Sequence, residues 1–496
     1  MAGPIVVGAI VILAGFDVGT TAVKGVYFDA LDGRVVASAW WDYELSRPLE
    51  GHAEQDPQDW LVGLSACRER LAAAAPGTQI DAIGVCSQVN THVFVDGALS
   101  PVHAAISWQD QRCVDAAAEL DRRAGEGKDR IFGGPFAIDA SYALSRALWM
   151  QQNDPEAWAA TRWILSPKDY CVARLTGAVG SDRVSPVGLV GADGEYLAGA
   201  MALVDGAAGR FPPLDEFDAI AGHTDGSFGF APGLPVCIGT MDAWSSIYGS
   251  GVVRPGQGVE ISGTSEIVGL MSARPGSAAG VISFPPVRNR FLHAGGTQAG
   301  GDALRWIADL LGLTVADALS TAAAVDPQAL VFLPHLAGER APLWNADARA
   351  VFLGMTSNTA PGHLVRAVLE GVAHAARHLR ESCEQAAGFR ATTLRLSGGG
   401  AASELWNQIR ADAHRCVLEQ VASTMTGCVG AALMSGVAAG VTSDLESWAA
   451  GVVIVAGEFV PDPAGADRLD GLHAVYRSTY VSLAERFVDL SRLTQT

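Results

Sequence analysis

Asp17, Gly19, Thr20, Thr21 and Lys24 crowd into one stretch, Ala14-Gly-Phe-Asp-Val-Gly-Thr-Thr-Ala-Val-Lys24, where an apolar run gives way to a turn. A turn made of Gly19, Thr20 and Thr21 offers backbone N–H groups and two hydroxyls, which is the chemistry of a phosphate cradle. A carboxylate repels a bare phosphate, so Asp17 beside this turn implies a Mg²⁺ between them, and Lys24 would add positive charge. An ordinary glycine-containing hairpin has the same composition, and this stretch alone leaves both readings open. The pattern recurs: Val259-Glu-Ile-Ser-Gly-Thr-Ser-Glu-Ile-Val268 again places a turn, Gly263-Thr264-Ser265, between two apolar segments. Two such cradles can hold one triphosphate.

Four further stretches carry candidate binding or catalytic chemistry. Ser87-Gln88-Val89-Asn90-Thr91 interrupts two apolar strands, as the floor of a binding cleft would, although a satisfied polar bend fits equally well. Trp108 is followed by Gln109, Asp110 and Arg112. An indole face beside hydrogen-bonding groups suits a polyhydroxy ligand, and a core tryptophan at an element boundary is the alternative. Asp242 lies in Gly239-Thr-Met-Asp-Ala-Trp244, just past the apolar segment Leu234–Ile238. The end of a strand is where an α/β fold places working residues, while an aspartate capping a helix would occupy the same position. Finally, Ser397-Gly-Gly-Gly-Ala-Ala402 sits between a short strand and a helix carrying Trp406 and Asn407. Glycines there let a flat ligand approach the backbone, as nucleotide sites require.

The elements that must position these residues follow from periodicity. Ile5 to Phe16 reads as a buried strand, Val23 to Phe28 as its return and Val35 to Tyr43 as a third strand. Asp56-Pro57 with Asp59 starts a helix that runs to about Ala75. Ile80–Cys86, His92–Val95 and Ala104–Trp108 read as strands, and Ser141 to Arg183 as a mixed, largely helical region in which Lys168 and Asp169 begin a helix. Arg254-Pro-Gly-Gln-Gly258 marks a boundary, after which the opening pattern restarts. In the second half Gly300-Gly301 opens a helix to Leu311, Pro361–Ala387 is a long helix stopped by Gly388, Gly427–Gly440 is a small-residue helix, and Leu472–Leu490 is a terminal amphipathic helix.

Composition limits the classes of function. A chain of 496 residues exceeds one comfortable core, and 49% hydrophobic with 18% charged residues is a globular balance. A net charge of −19 argues against nucleic acid or an anionic membrane as partner. The eight cysteines form no C-x-x-C pair and no zinc-spaced cluster, which suits buried thiols in a reducing compartment. The apolar N-terminus lacks a basic region and is too short for a membrane span, so a cytoplasmic protein is expected, with the first few residues a loose extension.

Taken together, the sequence resembles the FGGY carbohydrate kinases of the actin and hexokinase superfamily over nearly its whole length. The resemblance rests on Phe16-Asp-Val-Gly-Thr-Thr21 with Lys24, Trp108–Arg112, Pro167-Lys-Asp-Tyr170, Gly239-Thr-Met-Asp242, Phe332-Leu-Pro-His-Leu-Ala-Gly-Glu-Arg340 and Ser397–Ala402. Among the family's members the chain looks most similar to the xylulokinase-like group. The resemblance implies an α/β protein of two duplicated, ribonuclease H-like domains around a central catalytic cleft. Residues 1–251 would bind sugar and phosphate, and residues 252–496 the nucleotide. It implies transfer of the γ-phosphate of ATP, with Mg²⁺, to a hydroxyl of a small sugar, most simply a pentulose, with glycerol, erythritol or ribulose-type acceptors as alternatives. Asp242 aligns with the general base and Asp17 with the metal-holding aspartate. Gly19, Thr20, Thr21 and Lys24 would face the transferring phosphate, and Gly263, Thr264 and Ser265 the nucleotide phosphates. Gly300, Gly301, Gly399, Gly400 and Asn407 would border the nucleotide, and Gln88, Asn90, Trp108 and Asp110 the sugar. Where xylulokinases carry Gly-Gln-Met-His-Gly this chain has Ser87-Gln-Val-Asn-Thr91, and Arg146 stands for the family's signature lysine. A non-transferring, ATP-gated actin-like switch is the reading from another class, and homodimerisation is left open.

Overall fold

The computed structural model describes residues 11–134 and 136–494. Residues 5–10 of the expected opening strand, and the expected N-terminal extension, lie outside the described residues. The chain forms two compact units, one ending at Gly251 but completed by Met425–Val453, the other made of Val252–Thr424 and Ile454–Thr496.

In the first unit, strands β1 (Ile12–Val18), β2 (Ala22–Asp29) and β3 (Val35–Asp42) form an antiparallel meander. Helix α1 (Pro57–Ala74) follows, with the Asp56 carboxylate accepting the Gln58 N–H and Pro57 at its first position. Strand β4 (Ala82–Ser87) then pairs in parallel with β1. Beyond several short elements lie helices α2 (Ala143–Asn153) and α3 (Pro167–Thr176), and later β5 (Ile220–His223), β6 (Pro235–Cys237) and helix α4 (Asp242–Gly249). The sheet order is β5-β6-β4-β1-β2-β3. In β1 every residue but Asp17 is buried, whereas Val36, Ser38 and Trp40 of β3 are exposed, the alternation of a strand with one wet face. α3 starts with a capping box in which Ser166 and Asp169 satisfy one another's backbone N–H groups, and it ends at Gly177 in a left-handed conformation.

The second unit repeats this plan. Strands β7 (Gly258–Ser262), β8 (Glu266–Ser272), β9 (Ile282–Ser283) and β10 (Phe291–Gly296) precede helices α5 (Gly301–Leu310) and α6 (Pro361–Ala387). Strand β11 (Thr393–Ser397), helix α7 (Glu404–His414), strands β12 (Val417–Val421) and β13 (Val455–Phe459), and helix α8 (Pro463–Thr494) complete it. Its sheet order is β9-β10-β8-β7-β11-β12-β13. The run β3-β2-β1-β4-β6 of the first sheet and β10-β8-β7-β11-β12 of the second have the same order. In each, two antiparallel pairings are followed by two parallel ones.

Two expectations need correction. Residues 425–453, expected with the second half, belong to the first unit. Helix Thr426–Ala438 is almost wholly buried, and Gly15 of β1 and Gly84 of β4 lie so close to it that a Cβ on either would sit 1.9 Å from a helix carbonyl. The terminal helix begins at Pro463 rather than Leu472. Its first turns are polar, which hides them from a hydrophobic pattern, but Asp467 and Asp470 pair with Arg415, and Arg468 with Glu370. All eight cysteines are free and buried. Among the described residues no single helix is long and apolar enough to cross a membrane.

Candidate active site

In the first unit the functional stretch is the β1–β2 hairpin. Asp17 pairs in register with Lys24 across the hairpin and with Cys86 on β4. Its Oδ1 atom is buried and has no hydrogen-bond partner, and burial raises its pKa against the opposing influence of Lys24 and the Cys86 thiol. A Cβ on Gly427 would come within 3.1 Å of Asp17 Oδ2, so the small residue leaves that carboxylate its space. An aspartate with an unpartnered buried oxygen fits a divalent cation, and among the described residues no group of three or more His, Cys, Asp or Glu forms a complete protein cage. Mg²⁺ held by one carboxylate, water and substrate phosphate needs no such cage.

The turn itself is locked by side chains. Gln88 donates to the Gly19 carbonyl at 3.0 Å and to Gln55 Oε1 at 2.7 Å, and accepts from the Thr20 hydroxyl at 3.0 Å. Gln55 donates to the Thr20 carbonyl at 2.6 Å, the Trp108 indole N–H to the Thr20 hydroxyl at 3.0 Å, and the Tyr43 hydroxyl to the Gly19 carbonyl. Thr21 and Lys24 remain exposed. Gln88, expected at the sugar, clamps the hairpin turn together with Tyr43 and Gln55, which sequence reasoning missed, and it also lines a cavity beside Asn90.

Asp242 is the first residue of α4, past the end of β6, and its Oδ1 accepts the Ala243 N–H at 2.7 Å. The cap position is occupied by Met241, so the helix-capping alternative does not apply. Burial, then the negative charge of Asp17, push the Asp242 carboxyl up to about 7, while the Ala243 N–H and Lys24 oppose this. A carboxylate poised near neutrality can accept a proton from a hydroxyl.

The other expected sugar contacts divide. Trp108 keeps 39% exposure, and Asn90, in a left-handed conformation with φ 58°, lines a cavity of about 30 Å³ with Gln88, His92, Asp169 and Met241. Asp110, in contrast, is fully buried, and both its oxygens are engaged: with the Ala53 N–H at 2.6 Å and with Arg112, which also reaches Glu54 at 2.7 Å. It supports the Ala53–Gln55 backbone. Arg146 is likewise buried, donating to the carbonyls of Asn90 and Ser107, and burial lowers its pKa to about 10. It holds the Asn90 loop from behind.

In the second unit the predicted glycines converge on the β7–β8 turn. Gly301 N–H donates to the Gly263 carbonyl at 2.9 Å, and a Cβ on Gly300 would lie 2.6 Å from the Ser265 carbonyl carbon. Gly398 and Gly400 press against Ser262, where a Cβ would meet its carbonyl oxygen at 2.3 Å and its hydroxyl at 2.0 Å, while Gly399 faces open space. Beneath them the buried Arg410 bonds Ser262 Oγ at 2.6 Å and Glu266 at 3.0 Å, and stacks on Trp406. Asn407 is only 1% exposed and donates to the Ala401 carbonyl at 2.7 Å, so it shapes the glycine turn from within. Arg340, quoted in a motif but not picked out as a site residue, donates to Ser265 Oγ at 3.1 Å and the Thr297 carbonyl at 2.7 Å. It supplies a cation at this turn.

Residues 12–249 match the N-terminal domain, and residues 258–439 the C-terminal domain, of the FGGY family of carbohydrate kinases. The chain is 30% identical to a xylulose kinase of Escherichia coli over 86% of its length and 90% of that enzyme's. It is 26% identical to a gluconokinase of Bacillus subtilis, over 86% of this chain and 88% of that one. The crystal structure of a xylulose kinase from Rhodospirillum rubrum superimposes with a TM-score of 0.82 at 26% identity, covering 96% of this chain and 99% of that one. The chain belongs to the FGGY family of carbohydrate kinases, ATP-dependent phosphotransferases with an alcohol group as acceptor.

Proposed function

We propose that the protein transfers the γ-phosphate of ATP to a hydroxyl of a pentulose, in the manner of a xylulokinase. The observation that carries the mechanism is Asp242: a carboxylate at the end of a strand, held near neutral pKa by burial and by Asp17. In this reading Asp242 accepts the proton of the attacking sugar hydroxyl, which is otherwise a poor nucleophile. Trp108 covers the C–H edge of the sugar, and Asn90 bonds a hydroxyl. The Gly19–Thr21 turn and Lys24 receive the transferring phosphate. Asp17 would hold hydrated Mg²⁺, which supplies charge neutralisation of that phosphate. In the second unit Gly263–Ser265, Gly300, Gly301 and the Gly399–Gly400 turn receive ATP, with Arg340 adding a positive charge.

The likeness to both a xylulose kinase and a gluconokinase supports a small sugar or sugar acid over a larger glycoside. ADP release over ketopentoses, aldoses, glycerol, erythritol and sugar acids, with each product weighed, tests the acceptor. Xylulose is expected to gain one phosphoryl group at the highest kcat/KM. A preference for gluconate would overturn the pentulose assignment. Asp242→Ala is expected to lower turnover roughly 10²–10⁴-fold while nucleotide binding persists. Near-normal turnover in that variant removes Asp242 from the role of base.

A further inference from the structure

Lys168 is completely buried between two carboxylates, Asp169 Oδ1 at 2.5 Å and Asp182 Oδ1 at 3.0 Å. Burial disfavours its charge, but the two aspartates more than offset this and raise its pKa. Its partners work at different places. Asp169 serves its own helix, accepting the Ser166 hydroxyl at 2.7 Å and the Ser181 hydroxyl at 2.9 Å. Asp182 reaches outward: its Oδ2 accepts the Thr240 hydroxyl at 2.8 Å and the N–H groups of Val184 and Ser185 at 3.1 and 3.0 Å.

Thr240 is 1% exposed and stands two positions before Asp242. Three of the four residues leading to Asp242, namely Ile238, Thr240 and Met241, are tied to the same anchor or its neighbours, while the Gly239 N–H donates to the Phe217 carbonyl. The Ile238 carbonyl accepts from Lys168 Nζ at 3.5 Å. Gly239, at φ 71°, passes so near the Val85 carbonyl that a Cβ would lie 1.9 Å from its oxygen. The Thr240 hydroxyl bonds Asp182, and Met241 bridges in parallel to Ser87, whose hydroxyl accepts the Lys168 N–H at 3.2 Å. The same Asp182 carboxylate fixes the start of the 184–189 loop, and Ser185, Pro186, Val187 and Leu189 line the cavity beside Asn90 and Met241.

We propose that Lys168, acting through Asp182 and Thr240, positions the general base and couples its aim to the loop that lines the cavity beside Asn90. This rests on the reading of Asp242 as base. None of the three touches the reacting atoms, so their contribution is to geometry, where an error of an ångström can lower the rate on the order of 10²-fold. The test compares Thr240→Val, which keeps shape but removes the hydroxyl, with Thr240→Ser, which keeps the hydroxyl. Asp182 Oδ2 retains two N–H partners in Thr240→Val, and the ADP-induced rise in melting temperature reports that the variant is folded. The expected result is a kcat roughly 10- to 100-fold down in Thr240→Val, with acceptor KM and the ADP response held, and recovery to within about twofold of the parent in Thr240→Ser. A Thr240→Val kcat within about twofold of the parent, an equal loss in Thr240→Ser, or a change confined to KM overturns the proposal. If Asp242→Ala also turns over normally, the base assignment itself has failed. If Asp242→Ala is inactive while Thr240→Val is unimpaired, only the anchor has failed.

Discussion

Asp242 holds its proton more tightly in the folded protein than an ordinary aspartate, at about 7 against 3.8. Between these values the folded state binds more protons than the unfolded chain, so this residue's contribution to stability falls as pH rises through that window. Asp242→Asn should therefore raise the melting temperature of the unliganded protein at about pH 8 and lose that advantage well below the 3.8 of the unfolded aspartate, where both states are protonated. If Asp242 is the base, activity runs the opposite way, because the base must be ionised: kcat/KM for the acceptor should rise with pH as Asp242 loses its proton, above the 3.8 of an ordinary aspartate. Asp17→Asn keeps the shape of the hairpin but removes the charge. It should weaken Mg²⁺-dependent turnover and leave sugar binding, measured by calorimetry without nucleotide, largely intact. Loss of sugar binding would contradict that division of labour. The placement of Asp17 near the end of β1 and of Asp242 past the end of β6 was legible in the sequence because strand ends are marked by where apolar runs stop. The partners of Gln88, Asp110 and Asn407 were not, since residue type does not tell which neighbours, such as Gln55, Ala53 and Ala401, take up a polar group's hydrogen bonds.

At the level of elements, helix Thr426–Ala438 carries the heaviest packing constraint. Gly430 lies against the Ser245 carbonyl of α4, where a Cβ would be 1.8 Å from its oxygen, and Gly249 of α4 meets the Thr426 carbonyl in the same way at 1.9 Å. Backbone meets backbone on both faces, so no side chain can move aside. Gly430→Ala should cost about 1–3 kcal/mol of stability in chemical denaturation, against which the helix-propensity gain of about 1 kcal/mol works. A stability equal to the parent's would mean that α4 can shift. Because α4 begins with Asp242, the same variant should also lose activity. The helix was readable from its Gly, Ala and Val content. Its partner sheet was not, because small residues declare close packing without naming what lies opposite.

On the scale of the whole molecule, duplication was visible in the echo of Gly19-Thr20-Thr21 at Gly263-Thr264-Ser265, and the matching strand orders give it a structural basis. Nucleotide binding to the folded chain should stabilise it by mass action, by about 2.7 kcal/mol at 100 times Kd. ADP should produce that shift in the parent and equally in Asp242→Ala, as measured by thermal melting. A shift lost in the variant would place Asp242 in nucleotide binding. If the β7–β8 turn receives the nucleotide as proposed, the net charge of −19 makes Arg340 the more important there, since an anionic ligand would meet an anionic protein.

The return of residues 425–453 to the first unit has a consequence for synthesis. When the ribosome has completed Gly251, the sheet of the first unit still lacks the helix whose backbone presses on β1 and β4. At about 5–20 residues per second, that helix arrives roughly ten to forty seconds later. During the interval the bare glycine-lined face of β1 and β4 is open to solvent, to chaperones and to other nascent chains. A truncation at Gly251 would preserve that state permanently, so the fragment should expose apolar surface and aggregate, although it carries Asp17, Asn90, Trp108 and Asp242.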